Sequence, residues 1–360
     1  MPDFSEQLER MLEALHGSRR LTIVTHDHPD PDALASAVGL RHLLHVTSQV
    51  ACSVAYGGTV GRPENRALVR MMKLPPVNPK AMLPRPGRVF ALIDTQPAVG
   101  NNSLPESVTP RVVIDHHPLR HQTRQVPFYD IRTDYGATAT LIADYLVAAR
   151  APIDGRLATA ICYAISSETQ NLGREAAPAD IAAYTRLFPI ANKRALATLV
   201  TPKRPRGFYR DLARALRNGF LYRNVIGTWL PAVDHPDIVP QLADFLLRHE
   251  RVSWSIGLGY YGERLYLSIR TTQTQAHCHR LIRRLVGSRG KAGGHGMIAG
   301  GFIDCGELDQ ADKKKLAEDV VRRFLALVGH GEVESLSPLL PPAAAQETAE
   351  QPTAAKQEGN

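Results

Sequence analysis

The chain is poor in the features that mark several large classes of protein. Its four cysteines, Cys52, Cys162, Cys278 and Cys305, are scattered and form no CxxC pair, so neither a zinc ribbon nor a disulfide framework is suggested. Reduced thiols packed as small apolar groups are the expected state. No apolar run reaches the roughly eighteen residues needed to span a bilayer, and no membrane partner is expected. The stretch Met1 to Arg20 is charged and amphipathic, without the apolar core and small-residue cleavage site of a secretory leader, and a cytoplasmic location is expected. Aromatic residues are few and are not interleaved with basic ones, so a single-strand stacking platform is not expected. The chain shows no internal repeat.

What is present is enough for two ordinary globular domains, since 360 residues exceed one comfortable core. The formal charge of +8 suits phosphate-bearing ligands without distinguishing a nucleotide from a nucleic acid or from simple solubility. Leu21 to Thr25 (LTIVT) reads as a short strand, followed by an acidic turn-rich loop and a helical pattern from Ala33 to His45. Val89 to Ile93 ends at Asp94 and Val112 to Ile114 ends at Asp115, so two further strands each deliver a carboxylate at their carboxyl end. Helical patterns follow at Ala137 to Arg150, Gly155 to Ser167 and Ala179 to Leu199. Strands alternating with helices predict an α/β fold, a mostly parallel sheet with helices on both faces. Ligands of such sheets bind in the crevice beyond the carboxyl ends of the strands.

A proline-rich basic stretch, Thr201 to Gly207, and a helix from Phe208 to Asn218 mark the boundary, so residues 201–220 are expected to connect the domains. Strands at Val225 to Leu230, Ser253 to Tyr260 and Arg264 to Arg270, with Tyr261-Gly262-Glu263 as a hairpin turn, indicate a smaller α/β domain over 221–330. Helices are expected at Asp237 to Arg248 and His277 to Val286; His277 and His279 at the start of the latter read as structural or surface residues. Residues 331–360 are rich in Ala, Pro, Gln and Glu and are expected to be disordered.

The chemistry sits in the first domain, taken as 1–200. In the loop THDHPDPDALAS, His26 is followed by Asp30 and Asp32 at a strand end. Carboxylates with an imidazole suit Mn²⁺, Mg²⁺, Fe²⁺ or Co²⁺ better than structural zinc. Asp and Pro also favour turns and helix N-caps for structural reasons alone, and the loop by itself leaves both readings open. Asp94 and the run Asp115-His116-His117 at equivalent strand ends favour the metal reading, because carboxylates buried there without cations would be costly to keep charged. A pair of divalent ions roughly 3.5 to 4 Å apart can share a carboxylate and neutralise phosphoryl oxygens.

These ordered motifs, with the segments named below, resemble the DHH phosphoesterase superfamily, in the branch that also carries the DHH-associated C-terminal domain. That branch includes oligoribonucleases, pAp phosphatases and cyclic-dinucleotide phosphodiesterases. The resemblance implies one metal on His26, Asp30 and Asp94 and a second on Asp32, Asp94 and His116, with Asp94 shared. It implies that His117 faces the substrate phosphate and that Asp115 orients a histidine. The family's remaining ligand is an aspartate in a pattern like GIxxDT; here the segment reads AISSETQ, so Glu168 takes its place with one more methylene. Gly293-Gly294-His295 and Ala299-Gly300-Gly301 are similar to a GGGH…AAG signature, interrupted here by Lys291 and Ala292. Arg270 resembles an arginine used on the substrate's terminal phosphate, with Gly293, Gly294 and His295 as further substrate contacts. The expected cofactors are two divalent cations, Mn²⁺ first, with Mg²⁺ or Co²⁺ as alternatives. The expected partners are short RNA or DNA oligonucleotides or dinucleotides such as pGpG, cleaved to nucleoside monophosphates in a homodimer. A pAp 3′-phosphatase, a cyclic-dinucleotide phosphodiesterase and a non-catalytic nucleotide sensor are the alternatives.

Overall fold

A computed structural model of the chain describes residues 3–74, 85–173, 176–331 and 335–340, with the side chain of His295 outside the described set. The chain divides into a first unit, Met1–Lys203, and a second, Arg204–Asn360.

The first unit is built on a five-stranded, all-parallel sheet of β1 (Arg20–Val24), β2 (Ala51–Ala55), β3 (Arg88–Ile93), β4 (Val112–Asp115) and β5 (Phe128–Ile131), in the order β2-β1-β3-β4-β5. Its helices are α1 (Phe4–Ala14), α2 (Pro31–Thr47), α3 (Pro63–Met71), α4 (Thr138–Ala148), α5 (Gly155–Glu168), α6 (Pro178–Leu187) and α7 (Lys193–Val200). Helix α2 starts where it does because Asp30 accepts from the Ala33 amide and Pro31 supplies a pre-set φ at the first turn. Its apolar residues run nearly all the way round, so it is a buried helix rather than a surface one.

Alternate strand residues divide the core. Leu21, Ile23, Ala91, Ile93, Val112 and Ile114 pack with residues of all seven helices. Val24, Phe90, Leu92 and Val113 face the other way and meet Leu104, Val108 and Val126. Among the described residues, helices therefore cover one face, not two as the alternating pattern predicts. The connections β3 to β4 and β4 to β5 contain no α-helix, only loops and a single 3₁₀ turn at Gln122–Gln125, and these loops supply the second layer. The helical pattern over Ala179 to Leu199 is realised as two helices, because Pro189 cannot continue α6 and Asn192 caps α7 through the Ala195 amide.

The second unit holds a seven-stranded mixed sheet in the order β10-β11-β9-β8-β7-β6-β12, in which only the β7–β8 pair is parallel. The strands are β6 (Phe220–Tyr222), β7 (Val225–Leu230), β8 (Trp254–Tyr261), β9 (Arg264–Thr271), β10 (Gly290–His295), β11 (Ile298–Asp304) and β12 (Ser337–Pro338). Helices α10 (Cys278–Val286) and α11 (Gln310–Leu327) bury one face, with Cys278 and Phe324 in that core. Helices α8 (Arg206–Arg217) and α9 (Ile238–Leu246) pack with Leu230 and Val233 in a separate cluster. Helix α8, expected as a connector, is thus an integral layer of the second unit. Gly262 at φ +57° closes the β8–β9 hairpin. The tail expected to be disordered over 331–360 supplies β12, which pairs with β6; residues 332–334 and 341–360 lie outside the described residues.

The glycine-rich segment is a hairpin of two paired strands rather than an open loop, with β10 at the sheet edge. Side chains are excluded there by backbone: a Cβ on Gly290 would lie 1.8 Å from the Phe302 carbonyl oxygen, and one on Gly294 2.4 Å from that of Ile298. Gly290→Ala should therefore force β10 away from β11 and destabilise the second unit by about 1–3 kcal/mol. A urea denaturation midpoint equal to that of the parent chain would show that the strands separate at no cost.

Candidate metal centre

The candidate ligands gather at the carboxyl ends of β1, β3 and β4. Chain direction does most of the assembly: the parallel sheet sets these three ends side by side, and each strand is followed at once by a polar residue. Asp94, the first residue after β3, adopts φ +58°, a left-handed conformation unusual outside glycine. Its amide is pinned to the Ile114 carbonyl at 3.0 Å, and its side chain is buried at 3% exposure.

Asp94 is shared by two groups of donors. His26 Nε2 lies 3.6 Å from Asp94 Oδ2 and 3.7 Å from Asp30 Oδ2. His116 Nε2 lies 3.7 Å from Asp94 Oδ1 and 4.0 Å from Asp32 Oδ2. Two sets of donor atoms mutually within 4.8 Å result: His26, Asp30 and Asp94, and Asp94, Asp115, His116 and His117. These separations exceed hydrogen-bond length and match donors spaced about 3 Å or more around a common cation with bonds near 2.1 Å. The donor set therefore fits divalent cations of the Mn²⁺ or Mg²⁺ type.

Both imidazoles are aimed from behind. His26 donates its Nδ1–H to the Asp27 carbonyl at 2.9 Å and His116 donates to the Tyr135 carbonyl at 3.2 Å, which turns each Nε2 toward Asp94. Asp32 stands beside the second set and has a further duty. The residue that precedes helix α4, Ala137, has no capping side chain, and Asp32 accepts the amides of Thr138 and Ala139 at 2.8 and 2.7 Å in its place. Thr138 also donates its hydroxyl to Asp94 at 2.8 Å.

Asp115 faces inward upon its own loop. Its Oδ1 accepts the amides of His116 and His117 and the Nδ1–H of His117 at 2.8 Å. Its Oδ2 accepts from Gln96 at 2.7 Å. Glu168 is half-buried at the end of α5 and outside both tight donor sets, yet its charge is one of those acting on Asp94.

The ionisation pattern records the crowding. Burial, followed by the charges of Asp32, Asp30, Asp115 and Glu168, pushes Asp94 well above the usual carboxylate range. Burial and the Asp30 charge push Asp32 up to about 7. Burial alone would lower His26, but the neighbouring Asp30 carboxylate outweighs it and raises the imidazole to about 9. Burial is likewise outweighed at His117, raised by Asp115, and at Asp115, lowered by His117.

Gln96 and Asp180 bear no ligand role in the motifs, and spacing alone does not reveal them. Besides gripping Asp115, Gln96 accepts the Arg120 amide and the Thr123 hydroxyl, each at 2.8 Å, and so clamps the segment after the DHH run. Asp180, fully buried, accepts the amides of Gly136 and Ala177 and the Thr140 hydroxyl. It thereby fixes the turn that offers the Tyr135 carbonyl to His116.

Arg270, Gly293, Gly294 and His295 lie in the second unit. Arg270 on β9 pairs with Ile298 on β11, which pairs with His295 on β10, so these backbone positions share one line across three strands, about 10 Å end to end. The Arg270 side chain is buried and donates to Asp244, to the Ser268 hydroxyl at 2.7 Å and to the Ile269 carbonyl at 2.9 Å. A Cβ on Gly293 would meet nothing within 4 Å.

Two expectations follow. Gln96→Leu should weaken divalent-metal affinity by about 10–100-fold, as loss of a group that orients ligands does; titration with Mn²⁺ giving the parent Kd would remove Gln96 from that role. Metal uptake must expel protons from His26 and from the raised carboxylates, so affinity should increase as pH rises from 6 toward 9. Calorimetry in buffers of different ionisation enthalpy should detect proton release at pH 7, and a heat independent of buffer would contradict it.

Residues 20–165 match the model of the DHH family, N-terminal domain. An uncharacterized protein of Methanocaldococcus jannaschii, MJ1633, is 30% identical over 321 residues, 87% of this chain and 65% of that protein, so the chain spans about two-thirds of that relative's length. The crystal structure of an exopolyphosphatase-related protein from Bacteroides fragilis is similar in fold, with a TM-score of 0.69 at 17% identity over 90% of this chain and 97% of the other. CDC45 from Entamoeba histolytica gives 0.52 at 8% identity, over 89% of this chain and 99% of the other. With the motif residues gathered at the carboxyl edge of the parallel sheet and the family match covering that sheet, residues 20–165 form a DHH-family N-terminal domain.

Proposed function

We propose that the protein is a metal-dependent phosphoesterase that hydrolyses phosphodiesters of very short oligonucleotides or linear dinucleotides, with pGpG as the first substrate to try, to nucleoside monophosphates. The observation that carries the reading is the sharing of Asp94 between two donor groups at the strand ends. His26, Asp30 and Asp94 would hold one cation, and Asp94 and His116 with Asp32 the other, Glu168 completing the set from the end of α5. Divalent cations bound there supply Lewis acidity and neutralise the charge that develops on phosphoryl oxygens. Mn²⁺ is the cation we favour, on the mixed carboxylate and imidazole donors.

The chain's own residues do the remaining work. His117 is held by Asp115 through Nδ1, and that carboxylate favours the protonated ring, which suits it to hand a proton to the leaving oxygen. The second unit would act as the DHH-associated domain, in which Arg270, Gly293, Gly294 and His295 contact the nucleotide. The excess of basic residues favours a polyanionic substrate.

The test is a panel of pGpG, di- to pentanucleotides, pAp and cyclic dinucleotides incubated with Mn²⁺ and resolved by chromatography. Linear dinucleotides should yield mononucleotides, and Asp94→Ala should lose roughly 100-fold or more of that rate. Glu168→Asp should retain metal-dependent turnover. Absence of Mn²⁺-stimulated cleavage across the oligonucleotides would sink the proposal, and turnover confined to pAp would make the protein a phosphomonoesterase. Binding of dinucleotides with no turnover, unchanged by Asp94→Ala, would make it a sensor.

A further inference from the structure

We infer that the first unit carries a second ligand site, for a nucleoside monophosphate, at the opposite end of α2 and α5 from the metal centre. A cavity of about 380 Å³ opens there, within the range of small-molecule sites. It lies against the start of β2, the edge of the sheet remote from the strand ends that bear the ligands.

The lining is chemically divided. Arg41, His42 and His45 of α2 and Arg156 of α5 supply positive charge and donors. His42 is oriented by donating Nε2–H to the Pro152 carbonyl at 2.6 Å. Two arginines, Arg41 half-buried and Arg156 exposed, on the lining of one cavity suit a phosphate, which guanidinium groups take by charge-assisted hydrogen bonds. Val38, Met72 and Leu157 provide an apolar wall, which a bare phosphate would leave unmet and which suits the face of a base. Asp154, on the same lining, would repel a free anion. One of its oxygens already caps α5 by accepting the Leu157 amide at 2.7 Å, which leaves the other to accept from sugar hydroxyls or an exocyclic amine. A phosphate monoester with a flat ring and hydrogen-bond donors satisfies all three parts.

The placement gives the site a route to the metal centre. Helix α2 begins with Asp30 and Asp32 and carries Arg41 about 15 Å further along at 1.5 Å per residue. Helix α5 carries Arg156 in its first turn and ends on Glu168. One pair of packed helices therefore bears candidate ligands at one end and the cavity at the other. A product of nucleotide hydrolysis bound in the cavity would be felt along rigid elements that also position Asp30 and Glu168.

The experiment titrates GMP into the full chain in EDTA, where the metal-free carboxylate cluster disfavours phosphate, and reads binding by calorimetry. It needs no turnover, so it stands apart from the phosphoesterase reading. One equivalent should bind, guanosine and inorganic phosphate each more weakly. Arg41→Ala/Arg156→Ala should weaken GMP at least about 10-fold, since each lost contact is charge-assisted, while His116→Ala should leave it unchanged. In the unaltered chain GMP should also slow alkylation of Cys52, which lines the cavity, as read by peptide mass spectrometry. No GMP binding in EDTA, an undiminished affinity in the double variant, or Cys52 labelling indifferent to GMP would each overturn the site.

Discussion

The first unit is organised around a carboxylate that burial makes hard to keep charged. Asp94 sits at the end of a central strand, almost wholly removed from water, with Asp30, Asp32, Asp115 and Glu168 acting on it electrostatically. In the absence of cations this arrangement works against stability, because several like charges occupy a region of low dielectric. Three imidazoles offset part of the repulsion, His26, His116 and His117 each facing Asp94 within 3.8 Å. Divalent cations would remove the rest, and the geometry is maintained in readiness for them. A destabilised arrangement held in place by its surroundings is the usual mark of a functional site.

The surroundings are more extensive than the ligands. Gln96 and Asp115 bind each other and the loop after β4, while Asp32 and Thr138 tie the start of α4 to the cluster. Asp180 holds the turn behind His116 from a helix about forty residues further along the chain. Gln96, Asp115, Asp32 and Asp180 each accept a backbone amide, so the same bonds serve folding and site geometry. Candidate site and scaffold are not separable here: Asp32 caps a helix and stands 4.0 Å from His116 Nε2 at once.

Much of this was legible in the order of residues. Short β-rich runs ending in Asp or His identify strands whose carboxyl ends carry polar groups, and the strands at Arg20, Arg88 and Val112 lie where that pattern puts them. What the pattern misjudged was the covering of the second face, since apolar residues such as Leu104, Val108 and Val126 are spaced irregularly and leave no helical period to read. Glycine suits an exposed anion-binding loop and a tightly paired hairpin equally well, and only the distance from Gly290 to the Phe302 carbonyl separates the two. Arg270 reads as a substrate arginine by its position in the strand, but its pairing with Asp244 is invisible without the fold.

The amino-acid sequence by itself determined the class of the first unit, the identity of the candidate ligands and the kind of cation they suit, because strand periodicity and donor chemistry are local properties. The family resemblance already named Asp94 as the shared carboxylate and Asp115 as a group that orients a histidine; tertiary structure alone decided that Gln96 grips Asp115 and that Asp32 caps α4. It also decided that α2 and α5 carry a basic cavity at their far ends. These outcomes depend on which strand ends lie side by side and which groups lose their water, and both are set by packing between residues far apart in the chain.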